Sequence, residues 1–183
     1  MISDILIVSD VHGRRARLDE LISYRKSLLK EGEVLNVIFL GDGLEDLFAS
    51  SHYDSIITYA VRGNCDYNVI YSPMGEKMPF TQLVLAGGYK IFITHGHLFS
   101  VKESALELCR EASSVGADIV LFGHTHVPRL EYIKGGSVRG VDKDIVIFNP
   151  GSLDAYDGSF GNLSFSEQGF LLSHGKYTNI PKK

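Results

Sequence analysis

Short apolar runs alternate with polar, glycine-containing breaks along the chain, and the runs are too short and too rich in Ile, Val and Phe to read as helices. ILIVS (5–9), VIFL (37–40), IITYAV (56–61), LVLA (83–86), IFIT (91–94), IVLF (119–122) and IVIF (145–148) read as strands. Residues 15–31 instead place Leu18, Leu21, Ile22, Leu28 and Leu29 at mostly helical spacing and end at Gly32, which predicts an amphipathic helix. A second helix is expected over 102–115, with Ala105, Leu106, Leu108, Cys109 and Ala112 as its apolar stripe before Gly116. Gly87 and Gly88, between two strand runs, predict a tight hairpin, and GNLSFSEQGFLLS (161–173) predicts another. Helix crossovers early and hairpins late imply mixed sheets in an α/β fold. The glycine-rich stretch 135–143 reads as a flexible loop and the tail TNIPKK as frayed.

Composition narrows the class without naming a function. The chain has 183 residues, 44% of them apolar and 22% charged, with no composition break. A single domain spanning 1–183 is expected, with roughly 70% of the unfolded surface buried. A net charge of −4 and a pI near 5.9 give no global support to nucleic-acid binding. Cys65 and Cys109 cannot form a disulfide framework, and their rarity fits a reducing compartment, so cytoplasm is the expected location. MISDILIVSD lacks the basic and apolar regions of a signal peptide, and no run approaches the roughly 18 residues of a membrane helix. No membrane association is expected.

The chemistry follows the runs. Asp10 and His12 come after ILIVS, Asp42 after VIFLG, Asn64 after AVRG, His95 after IFIT, and His124 and His126 after IVLFG. Ligands of open α/β sheets bind beyond the carboxyl ends of strands, so these side chains could converge on one rim. Two carboxylates, one amide oxygen and four imidazoles, with no thiolate, suit Mn, Fe, Co, Ni or Zn better than they suit a structural zinc site. Seven such groups exceed one tetrahedral site and match two cations sharing a carboxylate. Taken singly, DVHG, GDG or GNCD is ordinary turn composition, and only GHTH stands out. The joint pattern decides, because His12, His95, His97, His124 and His126 all follow apolar runs and only His52 and His174 fall elsewhere.

SDVHG, GD, GNCD, THGH and GHTH, in that order over residues 9–126, resemble the five-block pattern of calcineurin-like metallophosphoesterases. THGH, NPGS at 149–152 and the short length are most similar to the small YfcE-type phosphodiesterase branch. The resemblance spans nearly the whole chain and implies a four-layer sandwich of two mixed β-sheets flanked by helices. It also implies that Asp10, His12 and His126 hold one divalent ion, that Asn64, His95 and His124 hold the other, and that Asp42 bridges them. Mn(II) is the expected ion, with Ni(II), Co(II), Fe or Zn(II) also suited, and hydroxide bridging the metals would attack small phosphodiesters. Phosphomonoester hydrolysis and a non-catalytic metal-binding scaffold of the same fold are the alternatives, the complete ligand set weighing against the scaffold. A nuclease would call for a basic groove, so a small phosphate ester rather than nucleic acid is the expected partner. Relatives form dimers or tetramers, which implies a homo-oligomer. NPGS reads as a turn supporting the site rather than placing Asn149 in it.

One position departs from the broader pattern. Many relatives carry His after the Asn of the third block, whereas this chain has Cys65. A neutral thiol is a weak acid for the leaving oxygen. Beside two cations it could instead be a thiolate that repels phosphate or ligates metal, or a half-buried filler. His97 could face the substrate phosphate or stand behind the ligands. Asn64, Cys65 and His97 are therefore the catalytic candidates, while Arg14 and Arg15 read as solvated charges at a helix start.

Overall fold

The continuous apolarity of ILIVS, VIFL, IFIT and IVLF is explained by burial on both faces of their strands, whereas IITYAV and LVLA form sheet edges with one face partly exposed. A computed structural model describes residues 4–181; residues 1–3, which open MISDILIVSD, and 182–183, which end TNIPKK, lie outside it. In chain order the elements are β1 (Asp4–Val8), α1 (Arg15–Ser27), β2 (Asn36–Phe39), α2 (Leu44–Phe48), β3 (Ile57–Ala60), β4 (Thr81–Ala86) and β5 (Tyr89–Thr94). Then come α3 (Leu106–Ser114), β6 (Ile119–Phe122), β7 (Arg129–Ile133), β8 (Ile145–Asn149), β9 (Ser159–Ser166) and β10 (Gly169–Lys176).

One sheet has the order β10-β9-β1-β2-β3 and the other β4-β5-β6-β8-β7. In the first, β1, β2 and β3 run parallel and β9 and β10 are antiparallel. In the second, β5, β6 and β8 run parallel between antiparallel edges β4 and β7. Side-chain alternation then sorts the core. Ile5 and Ile7 of β1 point between the sheets, where they join Ile38, Ile93, Leu121 and Phe148. Leu6 and Val8 point outward onto Leu18, Leu21 and Ile22 of α1 and Leu44 and Leu47 of α2. Phe92 and Val120 turn the other way, onto Leu108, Cys109 and Ala112 of α3. The four-layer sandwich of two mixed sheets is therefore observed.

Local differences have physical reasons. β7, RLEYI, is an exposed edge strand with no buried face, so it carries no apolar signature. α1 stops at Ser27 because the amides of Leu28 and Leu29 bond back to the carbonyls of Arg25 and Lys26, tightening the last turn. Leu28 is then exposed, although it had been placed on the apolar stripe. α3 begins at Leu106, whose side chain is likewise exposed. The Gly87–Gly88 turn joins β4 to β5, and β9 pairs with β10, as the two hairpin readings expect. The stretch 135–143 is tethered: Val141 is buried beneath α3, and the amide of Gly136 donates to its carbonyl at 2.7 Å. The tail does not fray at its start either, since residues Tyr177–Asn179 form a 3-10 turn and Ile180 packs on the α1 side of the core.

Candidate metal centre

The strands that carry the candidate residues end in sharp reversals. Asp10, His12, Asp42, His124 and His126 have φ of 55°, 45°, 56°, 68° and 60°, and among the described residues Ser100 is the other non-glycine with positive φ. Left-handed backbone is unfavourable for such residues and is retained where surrounding structure enforces it, typically at functional sites. The enforcement is visible. The amides of Asp10 and Val11 donate to the carbonyls of Gly41 (3.0 Å) and Asp42 (2.8 Å), and that of Gly123 to the His95 carbonyl (3.0 Å). Gly63 and Gly123 allow the close approach, since a Cβ at Gly63 would lie 2.0 Å from Asp42 Oδ1 and one at Gly123 2.0 Å from Ser9 Oγ.

The side chains converge between the two sheets. Asp10 is fully buried; its Oδ2 accepts from Ser9 Oγ (2.6 Å) and the His124 amide (3.1 Å). Among the described residues its Oδ1 has no hydrogen-bond partner, although the Nε2 atoms of His126, His12 and His95 stand 3.0, 3.6 and 4.0 Å away. The Nε2 atoms of His12 and His126 face each other at 3.3 Å. Asp42 Oδ2 lies 3.3 Å from His95 Nε2 and 3.8 Å from His12 Nε2, and Asn64 Oδ1 lies 3.2 Å from the same His95 nitrogen. Asp42 thus stands between the two sets of candidate ligands. His124 is set farther back, its ring centroid 5.1 Å from that of His95.

Protonation follows from these neighbours. Burial alone would raise the Asp10 carboxyl, but the imidazoles of His12 and His126, then charge on His95 and the Ser9 hydroxyl, outweigh it and hold it well below the usual carboxylate range. Burial likewise opposes ionisation of Asp42, and His95 overcomes it, so Asp42 is also lowered. His12 is raised, chiefly by its contact with Asp10. His95 is raised too, because Asp42 and Asp10 outweigh its burial. His124, by contrast, is lowered to about 4 by burial and by charge on His95 and Lys102, and so stays neutral. His95 Nδ1 donates to the Leu40 carbonyl (2.7 Å), leaving Nε2 of the neutral ring with its lone pair free.

A buried carboxylate oxygen without a donor is costly, and facing imidazole nitrogens repel when both are protonated. A cation among them removes both penalties. The orphaned Asp10 Oδ1, ringed by three imidazoles, therefore fits a divalent metal ion.

Of the catalytic candidates, Cys65 is exposed beside Asp42, donating its backbone amide to Asp42 Oδ1 at 2.7 Å. Burial and then the Asp42 carboxylate push its thiol up to about 11. His97 is half-buried, edge-on to Phe80 at 5.7 Å, with Nδ1 buried and without a partner among the described residues; burial and then charge on His95 lower it. Arg14 pairs with Asp154 at 2.7 Å and is not directed at the ligands.

Behind the ligands stand two buried side chains, of which sequence reasoning missed Asp66. Asp66, which closes GNCD, is buried and accepts from the amides of Asp42 (2.7 Å), Gly63 (2.8 Å), Gly43 (2.9 Å) and Leu44 (2.9 Å). Asn149 is buried and donates to the Gly123 carbonyl (2.8 Å) and Thr125 Oγ1 (3.1 Å), the turn-supporting place expected for NPGS. A cleft of about 200 Å³ opens beside His12 and Asp42, lined also by Glu45, Cys65, Tyr67 and Asn68. A larger cavity, about 750 Å³, runs along α1 past Glu20 and Tyr177 and contains none of the candidate ligands.

The sequence profile of the calcineurin-like phosphoesterase superfamily domain matches residues 4–177. The probable metallophosphoesterase YsnB of Bacillus subtilis is 30% identical over 151 residues, covering 82% of this chain and 75% of its own. Phosphodiesterase YfcE of Escherichia coli K12 is 31% identical over 162 residues, covering 81% and 78%. A predicted phosphoesterase of Streptococcus pneumoniae superposes with a TM-score of 0.68 at 23% identity, over 96% of this chain and 90% of its own, and shares the fold.

Proposed function

The chain belongs to the calcineurin-like phosphoesterase superfamily, and on that premise we propose that it hydrolyses small phosphodiesters at a centre of two divalent cations. Asp10, His12 and His126 hold one cation, Asn64, His95 and His124 the other, and Asp42 is shared. The observation that carries this reading is the buried, unpartnered Asp10 Oδ1 among three imidazole nitrogens, with strained backbone at five of the seven proposed ligands. Mixed oxygen and imidazole donors favour Mn(II) or a neighbouring transition ion over Mg(II).

Divalent cations held there would supply Lewis acidity for the phosphoryl oxygens and for an attacking water. The chain's own residues do the rest. His95, fixed by the Leu40 carbonyl, presents Nε2 beside Asn64 and Asp42. His97, kept neutral by burial, offers a hydrogen bond rather than a charge to the phosphate. Cys65, held protonated by burial and by Asp42, is a weak proton donor, so the leaving group must carry its own charge. The cleft brings Glu45 and Asp46 beside the centre with no Lys or Arg in its lining, which favours a singly charged diester over a doubly charged monoester or a nucleic-acid strand.

The test is a screen of metals against substrates on chelator-stripped protein. Stripped protein should be inactive, and Mn(II) should restore hydrolysis of chromogenic diesters more than Mg(II) does, and more than of monoesters. Full activity in chelator would contradict the metal centre. A monoester preference would contradict the substrate class, and metal binding without turnover of any ester would favour the scaffold reading.

A further inference from the structure

The proposed pair of cations leaves one metal-ligating atom at the rim unused. His12, Asp42 and Cys65 bring an imidazole nitrogen, a carboxylate oxygen and a thiol sulfur within 4.8 Å of one another. All three line the 200 Å³ cleft, so the group faces the space proposed for substrate. The sulfur is also held in place. The Cys65 amide is tied to Asp42 Oδ1 at 2.7 Å, and Asn64 Nδ2 donates to Cys65 Sγ at 3.2 Å while Asn64 Oδ1 turns toward His95. One amide group therefore orients an oxygen toward the proposed metal pair and fixes the sulfur on its other side.

We propose that His12, Asp42 and Cys65 form a second binding mode of the centre, selective for thiophilic divalent ions such as Cd(II) and Zn(II). The proposal rests on the metal centre described above and adds a ligand to it. On binding, a sulfur–metal bond forms and the thiol proton passes to solvent; no electron is transferred. A soft sulfur donor adds affinity for Cd(II) or Zn(II) and almost none for Mn(II) or Mg(II), which prefer oxygen. An ion seated there takes His12 and Asp42 from the proposed pair and fills the cleft, so thiophilic ions inhibit where Mn(II) activates.

Chelator-stripped protein is titrated with Cd(II) while the ultraviolet sulfur-to-metal charge-transfer band is followed, in the wild type, in Cys65→Ser and in Cys109→Ala. Mn(II) binding to each is measured in parallel by calorimetry. The band should appear in the wild type and in Cys109→Ala, whose altered residue is buried on the inner face of α3, and be absent in Cys65→Ser. Cd(II) affinity should fall about 10- to 100-fold or more in Cys65→Ser, the loss typical of disturbing a metal site, with Mn(II) affinity unchanged. Unchanged Mn(II) binding also certifies that the variant is folded. No band in the wild type, or a band that survives in Cys65→Ser, overturns the proposal. Failure of the wild type to bind Mn(II) would remove the metal centre as well, whereas Mn(II) binding without the Cd(II) band removes only the thiol mode.

Discussion

The loops that present Asp42 and Asn64 and the turn that presents His124 and His126 each depend on one buried side chain, and the two side chains have opposite hydrogen-bonding character. Asp66 accepts from four backbone amides; Asn149 donates to a carbonyl and a hydroxyl, and takes back one amide, that of Gly151, at 2.8 Å. The difference lies in what each reversal turns inward. The loop after β2 leads straight into α2, and the opening amides of a helix have no intrahelical partner. A carboxylate with two oxygens can take several of them at once, and does so better than a neutral acceptor. The turn after β6 instead leaves the Gly123 carbonyl pointing inward, where a carboxylate would face another acceptor, so an amide group is needed. The polarity of exposed backbone decides the residue that braces it.

This contrast can be broken from either side. Asp66→Asn should have the largest effect, because it sets an NH2 group against backbone amides and orphans buried donors at about 1–3 kcal/mol each. A stability loss of about 3 kcal/mol or more is expected by urea denaturation, together with a fall in Mn(II) affinity of about 10²-fold, since both Asp42 and Asn64 are loosened. Wild-type behaviour would mean that Asp66 does not act through its charge. Asn149→Ala should come next. Losing neutral hydrogen bonds should cost about 1–2 kcal/mol, and releasing His124 and His126 should weaken Mn(II) binding about tenfold. A calorimetric affinity matching the wild type would show that the turn holds its shape unaided. Arg14→Ala should do least, because its ion pair with Asp154 is exposed: less than about 1 kcal/mol, with Mn(II) affinity intact. A larger loss would bring Arg14 into the site after all.

The same contrast explains what was legible in the sequence. Ligand candidates could be read because their chemistry is unusual at strand ends, and the layered fold because doubly buried strands such as ILIVS and IVLF are continuous apolar runs. The supporting role of NPGS could be read but not its partners, and Asp66 went unread within GNCD, because the groups they brace lie up to 26 residues away and a sequence does not say which way a backbone group points. The strained φ values at Asp10 and His126 are equally invisible, being imposed by neighbouring turns rather than by residue type. β7 escaped because an edge strand exposed on both faces has no apolar period to read, and Leu28 misled because helical spacing continues past the point where the last turn tightens and the helix ends.

The central claim is that two cations share Asp42, and metal content tests it most directly. Stripped protein, Asp42→Asn and His12→Ala are each dialysed against Mn(II), desalted, and analysed by mass spectrometry for metal per chain. The wild type should retain about two Mn(II), His12→Ala should lose chiefly one, and Asp42→Asn should lose tight binding of both. Asp42→Asn retaining both at wild-type affinity would contradict a shared carboxylate.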